Sequence, residues 1–419
     1  MDLTRRRFIR NSALGAVGLG LVEPILGRTA GSLLAAASGR SIVVVNLFGG
    51  NDGLNTVVPL DQYDRYRQLR RSLAHRQEDL LPLAGVPDLA LNPGLTGIRD
   101  LYARGKLAVL AGVGVPAEAT GLFDHSAQQF EFQTCDLVRA SSGLPPTGWL
   151  GRYLDGVPAG VVAPGIDLGG GKLMLTGSVF DPLTIYSIDD LQLQVSQDES
   201  ARRAAYEAVQ NIPHADPVGE HNRELRLAGL AQAEQIRLAT EAYVPAVAYP
   251  DSYLAYNLQQ CAKIISGNLG VQAFCVGTGG FDTHDEQNEG GGGAALGYHD
   301  TLLKDVSDAL AAFQADLEAH GLSDRVLTLS ISEFGRTAYV NGDRGTDHGF
   351  SSVAFAIGDA VNGGVYGLYP SLADQHLVFD GLTDVTTDFR SVYSTALASF
   401  LETDPVPVVG GTFPLLGYL

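Results

Sequence analysis

The segment from residue 325 to 349 constrains this chain most, because it joins a buried strand to a set of reactive side chains. Residues 326–332 form a short apolar run rich in β-branched residues, without proline or glycine, which is typical of a buried parallel strand. A glutamate and an arginine follow closely, and an Asp-His pair comes one loop later. Ligands bind at the carboxyl ends of strands in open α/β sheets. The segment therefore predicts a site for metal and an anionic substrate at a sheet edge.

Two other predicted strands end in similar residues. The apolar run at 41–48 leads into a glycine-rich turn that contains Asp52. The run at 271–277 is followed by Asp282 and His284. Because parallel strands end at a common edge, we expect these side chains to meet there.

The group as a whole indicates a polynuclear metal site. Each residue taken alone has an ordinary alternative, as a helix N-cap, a turn aspartate or a structural histidine. Mixed carboxylate and imidazole ligands suit Zn²⁺, Mn²⁺ or Mg²⁺, and two such ions about 3.5–4 Å apart can clamp both oxygens of a phosphoryl-type transfer. The candidate metal ligands are Asp52, Asp282, His284, Glu333, Asp347 and His348.

Three further residues are candidates for catalysis. Ser126 lies at a predicted helix N-terminus capped by Asp124, where the helix dipole and a metal ion would activate its hydroxyl as a nucleophile. An ordinary first-turn serine is an equally good interpretation. His125 is a candidate ligand or general acid. Arg336 can bind a phosphate or sulfate oxygen, or it can pair with Glu333.

Strands and helices alternate along most of the chain. The stripe of leucines, valine and phenylalanine between residues 302 and 317 predicts a clear amphipathic helix. This alternation predicts an α/β fold, a three-layer α/β/α sandwich with a mostly parallel central sheet. We expect one domain over residues 41–419, with a cap or insertion around 140–250. The three cysteines lack metal-ligand spacing and are expected to be buried free thiols.

The N-terminus predicts export. Residues 4–10, TRRRFIR, resemble the twin-arginine signal, and residues 35–37 offer an A-x-A cleavage site. The apolar stretch between them, at 13–26, is too short and too interrupted to span a bilayer. We therefore expect the twin-arginine export machinery as a partner, removal of residues 1–37 as a signal peptide, no stable membrane span, and a periplasmic or extracellular location.

The charge of the chain excludes some partners. With 28 basic and 47 acidic residues, the net charge is −19, and residues 1–37 carry five of the arginines. Such a charge disfavours nucleic acid and anionic membranes as partners.

Four motifs together resemble one exported bacterial family. They are FGGNDGLNTVVPL from residue 48, GGFDTHDEQ from 279, SEFGRT from 332 followed by GTDHG from 345, and TDFRSVY from 387. In this order they resemble the domain of unknown function 1501 family, which is grouped with the alkaline-phosphatase-like superfamily of phosphatases and sulfatases. The resemblance implies an α/β/α sandwich with two metals at the strand ends.

The resemblance also implies roles for individual residues. Asp52 resembles the metal ligand of the first strand, and Asp282 and His284 resemble the Asp…His pair of the superfamily. Glu333 lies where an aspartate is usual, and His348 resembles a late histidine ligand. Ser126 is placed like the nucleophile, although His125 is an alternative match. The Cys-x-Pro-x-Arg pattern of typical sulfatases is absent.

Two functions follow from these observations. The first is an exported, metal-dependent hydrolase of small anionic phosphate or sulfate esters. The alternative is a non-catalytic cell-envelope protein that keeps the fold and a structural metal.

Overall fold

The first strand, β1 (Ser41–Leu47), is buried along its whole length and lies between two hydrophobic cores. Val43 and Leu47 pack into one core, whereas Ile42 and Val44 pack into the other. Because successive side chains of a strand point to opposite faces, the sheet that contains β1 is covered on both sides.

The computed structural model describes residues 39–116, 123–137, 146–157, 163–188, 191, 200–289, 296–378 and 382–419, so the predicted signal peptide lies outside it. The strands are β1, β2 (Val57–Pro59), β3 (Leu81–Leu83), β4 (Val86–Leu91), β5 (Leu107–Gly114), β6 (Gly165–Leu168), β7 (Leu183–Thr184), β8 (Ala273–Thr278), β9 (Val326–Ser332), β10 (Gly335–Arg336), β11 (His348–Gly349), β12 (Ser351–Ile357), β13 (Gly364–Tyr366), β14 (Leu377–Val378), β15 (Leu382–Thr383) and β16 (Thr387–Asp388). The helices are α1 (Gly53–Thr56), α2 (Tyr63–Arg70), α3 (Thr96–Ala103), α4 (His125–Thr134), α5 (Trp149–Leu154), α6 (Lys172–Leu175), α7 (Ser200–Gln210), α8 (Pro217–Thr240), α9 (Tyr253–Ser266), α10 (Tyr298–Ala319), α11 (Phe389–Thr395) and α12 (Val406–Val409).

Nine of the described strands form one sheet in the order β13-β5-β12-β9-β1-β8-β6-β7, with β16 also paired to β5. Its pairs are parallel except those of β12, which runs antiparallel to β5 and β9. Helices α3, α9 and α10 cover one face, and α5, α6, α11 and α12 cover the other. The predicted α/β/α sandwich with a mostly parallel sheet is confirmed. No helix among the described residues has both the length and the apolar character needed to cross a bilayer.

The register of the three central strands positions the site. Strand β1 lies between β8 and β9, and Leu47 is opposite both Thr278 and Ser332. All three strands run in the same direction and end at the same level. The loops that leave them therefore start side by side, at the edge where open α/β sheets bind ligands.

Sequence patterns located most elements correctly. The strand predicted at 326–332 is β9, and the amphipathic helix predicted between 302 and 317 lies within α10. The cap predicted around 140–250 needs a correction, because β6 and β7 from this region join the main sheet beside β8. With four and two residues, β6 and β7 are too short to show the alternation of apolar and polar residues that predicts a strand. All three cysteines are buried and free, as predicted.

Candidate metal centre

Asp282 is at the centre of a cluster of imidazoles above the strand ends. Its Oδ1 lies 3.1 Å from Nε2 of His284 and 3.3 Å from Nε2 of His348. Its Oδ2 lies 3.4 Å from Nε2 of His125. The Nε2 atoms of His284 and His348 are 2.8 Å apart. One ligand atom each from His125, Asp282 and His348 lie within 4.8 Å of one another, close enough for a single metal ion to bind all three.

Each of the three histidines has a partner on its other ring nitrogen. These partners are carboxylate or carbonyl oxygens, which accept hydrogen bonds and therefore favour the tautomer with the proton on Nδ1, and that tautomer leaves the Nε2 lone pair available to a metal. Metal-binding histidines in proteins are usually held in this way. The contacts are His125 Nδ1–Glu333 Oε1 at 2.5 Å, His284 Nδ1–Asp347 Oδ1 at 3.1 Å and His348 Nδ1–Phe123 O at 2.8 Å.

The charges of the cluster match a metal site. Burial acts to raise the pKa of Asp282, but the Arg336 guanidinium, 2.6 Å from Oδ1, holds that pKa below its usual range. Burial lowers the pKa of His348, which keeps its ring neutral. A metal needs an ionised carboxylate and neutral imidazoles. Two imidazole nitrogens, from His125 and His348, and the Asp282 carboxylate form a donor set that suits Zn²⁺ or a similar divalent ion, and the His284 imidazole lies next to this set.

An aromatic ring that sequence analysis missed supports the histidines. Phe334 is buried, and its ring centroid lies 4.3 Å from that of His348 and 4.8 Å from that of His125. Gly50 makes room for it, because a Cβ at this position would lie 2.2 Å from the Phe334 ring. Gly50 also has φ +86°, which favours glycine. Gly50, in the glycine-rich turn after β1, therefore accommodates the Phe334 side chain.

Asp52 has different partners from those predicted. It is fully buried and forms an ion pair with Arg70, and Gln287 Nε2 donates to its Oδ2 at 2.6 Å. Burial acts to raise its pKa, but Arg70 outweighs this effect and lowers the pKa to about 2. Both carboxylate oxygens contact protein donors, so the structure does not bring Asp52 into the histidine cluster, and its contacts here are structural. Its partner could have been anticipated, because Arg70 lies four residues after the buried Tyr66 on the same face of α2.

Glu333 and Asp347 contact the Nδ1 atoms of two histidines, whose Nε2 atoms face Asp282. Glu333 Oε1 accepts from His125 and from the Gly49 amide at 2.9 Å, and its Oε2 accepts from Gln129 at 3.3 Å. Burial raises the pKa of Glu333. Asp347 Oδ1 accepts from His284. Both residues were predicted as direct ligands, which stays a prediction; in this structure each of them contacts the Nδ1 atom of a histidine.

Arg336 is also occupied. Its guanidinium is buried and donates to the backbone carbonyls of residues 49, 50, 281 and 346 and to Asp282. In this structure the guanidinium is held by protein oxygens, and its predicted role in binding a substrate anion stays a prediction. The predicted alternative, an ion pair with Glu333, is replaced by the pair with Asp282.

The hydroxyl of Ser126 lies in a capping network. It donates to Asp124 Oδ1 at 2.7 Å, and the same oxygen caps α4 by accepting from the Ala127 amide at 2.7 Å. Ser126 is exposed, whereas the neighbouring His125 is the residue of this segment that contacts Asp282. These contacts match the alternative that takes Ser126 as an ordinary first-turn serine, while its catalytic role stays a prediction.

Comparison with known families bears on residues 259–403. They match the model of a family described as a protein of unknown function, DUF1501. The match covers about a third of the chain and agrees with the resemblance found in the sequence motifs. The matched segment contains Asp282, His284 and His348. It begins after Asp52 and His125, which therefore lie outside it. A comparison with curated proteins found no match.

Two solved sulfatase structures are distantly similar to this protein. The crystal structure of the PsFucS1 sulfatase from Pseudoalteromonas sp. has 13% identity and a TM-score of 0.39, covering 96% of this chain and 72% of that one. A 2-O GAG sulfatase has 11% identity and a TM-score of 0.27, covering 90% of this chain and 71% of that one. Similarity at this level transfers neither a site nor an activity.

Proposed function

We propose that this protein is an exported metal-dependent hydrolase of phosphate or sulfate esters. One observation carries the proposal: Nε2 atoms of three histidines converge on the Asp282 carboxylate while each Nδ1 is held by an oxygen. A structural role for these histidines would not require their metal-binding nitrogens to face one another. The sequence predicts two ions, whereas these contacts support one position for a divalent ion.

The surrounding residues give the centre rigidity and access. Arg336 fixes Asp282, and Glu333 fixes His125. The Asp282 and His284 side chains are 47% and 42% exposed, so a substrate can reach them from solvent. A divalent ion held there would polarise an ester oxygen and lower the pKa of a coordinated water.

We further propose that water, and not Ser126, is the nucleophile. The Ser126 hydroxyl already donates to Asp124, and that oxygen is needed for the cap of α4. The hydroxyl would have to give up its hydrogen bond to Asp124 before it could attack a substrate. Ser126→Ala should therefore retain turnover.

Metal analysis of the full chain exported by its own host tests the proposal. His348→Ala should lose the ion and the hydrolysis of aryl phosphates or aryl sulfates. His214→Ala, at an exposed position outside the cluster, is the matched control and should keep both. A wild-type protein without metal would refute the proposal. A metal-bound protein inactive on both ester classes would favour the non-catalytic cell-envelope role.

The export route and the location outside the cytoplasm are part of this proposal. They rest on the twin-arginine pattern in residues 4–10. Folded proteins that load metal before export are the usual cargo of this route, which suits a metal enzyme.

A further inference from the structure

A groove lies beside the metal centre, between the C-terminal end of α2 and the loop after β10. Its volume is about 560 Å³, within the range of small-molecule sites. Arg65 and Arg71 supply guanidinium groups, while Leu69, Tyr339 and Val340 supply apolar and aromatic surface. None of its lining residues is acidic, although the protein has a net charge of −19.

The walls of the groove are held together by the buried Arg70. Its Nε donates to the carbonyl of Ala338 at 3.0 Å, and its Nη2 donates to that of Thr337 at 2.8 Å. The Val340 amide also donates to the Leu69 carbonyl at 3.4 Å. These contacts join helix and loop, so the groove is a built feature of the fold.

Arg71 is the arginine of the groove whose guanidinium is available to bind a ligand. Its side chain is exposed and makes no ion pair or hydrogen bond with any of the residues that the structure describes. Its backbone has φ +31°, an unfavourable conformation for a residue with a Cβ. Arg65, in contrast, pairs with Asp374, whose side chain is 85% exposed. A surface pair of this kind is weak and can exchange with a ligand.

The groove is connected to the metal centre through Asn341. This residue lines the groove, and its Nδ2 donates to the His284 carbonyl at 2.7 Å and to Asp347 Oδ1 at 3.1 Å. Asp347 in turn holds His284. Asn341 therefore lies between the groove and the histidines and contacts both.

We propose that the groove binds a second anionic group of the substrate. This inference rests on the proposed function and narrows its substrate class to esters with at least two phosphate or sulfate groups on one carbon skeleton. Arg71 binds the second group through charge-assisted hydrogen bonds, assisted by Arg65. Tyr339 and Leu69 contact the apolar part of the skeleton.

Equilibrium binding of matched compounds tests the groove directly. Glucose 1,6-bisphosphate is compared with glucose 6-phosphate, and a doubly sulfated disaccharide with its singly sulfated form. The wild type should bind the doubly charged member of at least one pair more tightly. Arg71→Gln should weaken that binding roughly 10- to 100-fold, the effect of losing a charged hydrogen bond. Arg67→Gln is the matched control, because Arg67 is an exposed arginine of α2 that does not line the groove. This variant should change binding less than twofold.

The outcomes separate this proposal from the metal-dependent hydrolase. His348→Ala should lose metal but still bind the second anionic group, so the Arg71→Gln effect should persist in that background. Equal binding of both members in each pair, or equal losses in Arg67→Gln and Arg71→Gln, would overturn the groove while leaving the metal centre intact. A protein that has neither metal nor turnover but still binds the doubly charged compound more tightly would support the groove proposal and refute the hydrolase proposal. The pair that shows selectivity identifies phosphate or sulfate.

Discussion

Replacing Asp52 by asparagine separates a structural role from a metal-binding role. The carboxylate is fully buried against Arg70, and this pair joins the first strand loop to α2. In the Asp52→Asn variant, Arg70 stays buried but loses its counter-charge. Removing one partner of a buried ion pair typically costs about 3–5 kcal/mol of the free energy of unfolding. We expect a loss in this range with the metal content of the folded protein unchanged.

Urea unfolding measures this loss, with the fluorescence of Trp149 as the probe. The protein has one tryptophan, and Trp149 is buried and stacked on Tyr393 with ring centroids 4.2 Å apart. Asp374→Asn is the matched control, because it breaks an exposed aspartate–arginine pair and should cost less than about 1 kcal/mol. An Asp52→Asn protein of normal stability that has lost its metal would refute the reasoning and restore Asp52 as a ligand.

The same variant should change the dependence of stability on pH. The pKa of Asp52 is lowered to about 2 in the folded protein, below the ordinary value of 3.8 for an aspartate. The stability that this shift provides is complete above about pH 4 and is lost as the pH falls towards 2. The difference between wild type and Asp52→Asn should therefore shrink by roughly 2 kcal/mol across that interval. A difference that stays constant from pH 5 to pH 2.5 would contradict the assignment.

Three other perturbations test the centre and the export. Glu333→Gln should weaken metal affinity about 10- to 100-fold without abolishing it, because it acts through a histidine, and complete loss in a metal titration would make Glu333 a direct ligand. Gly50→Ala should lower the melting temperature and the metal affinity together, since its Cβ would meet the Phe334 ring at 2.2 Å, and unchanged values would argue against that packing. Replacing Arg5 and Arg6 by lysine should leave the precursor in the cytoplasm when cell fractions are compared, and unaltered export would exclude the twin-arginine route.

Apolar runs and their endings were sufficient to predict the layers of the fold. The strands β1 and β9 are buried on both faces, so their sequences are nearly continuous apolar runs and their positions were visible. Strands β6 and β7 were missed, because such short segments depend on pairing with β8 for their existence. The antiparallel direction of β12 was also hidden, since a buried strand has the same composition in either direction.

The sequence by itself determined which residues can carry the chemistry, because their types and their positions after strands are local properties. The tertiary structure alone decided their roles. Asp52 and Asp282 both follow parallel strands, yet only one has a buried arginine from α2 against both its oxygens. Likewise, Glu333 and His125 are 208 residues apart in the chain, and only folding brings them into contact. Partners so distant in the chain are chosen by packing, which no local pattern records.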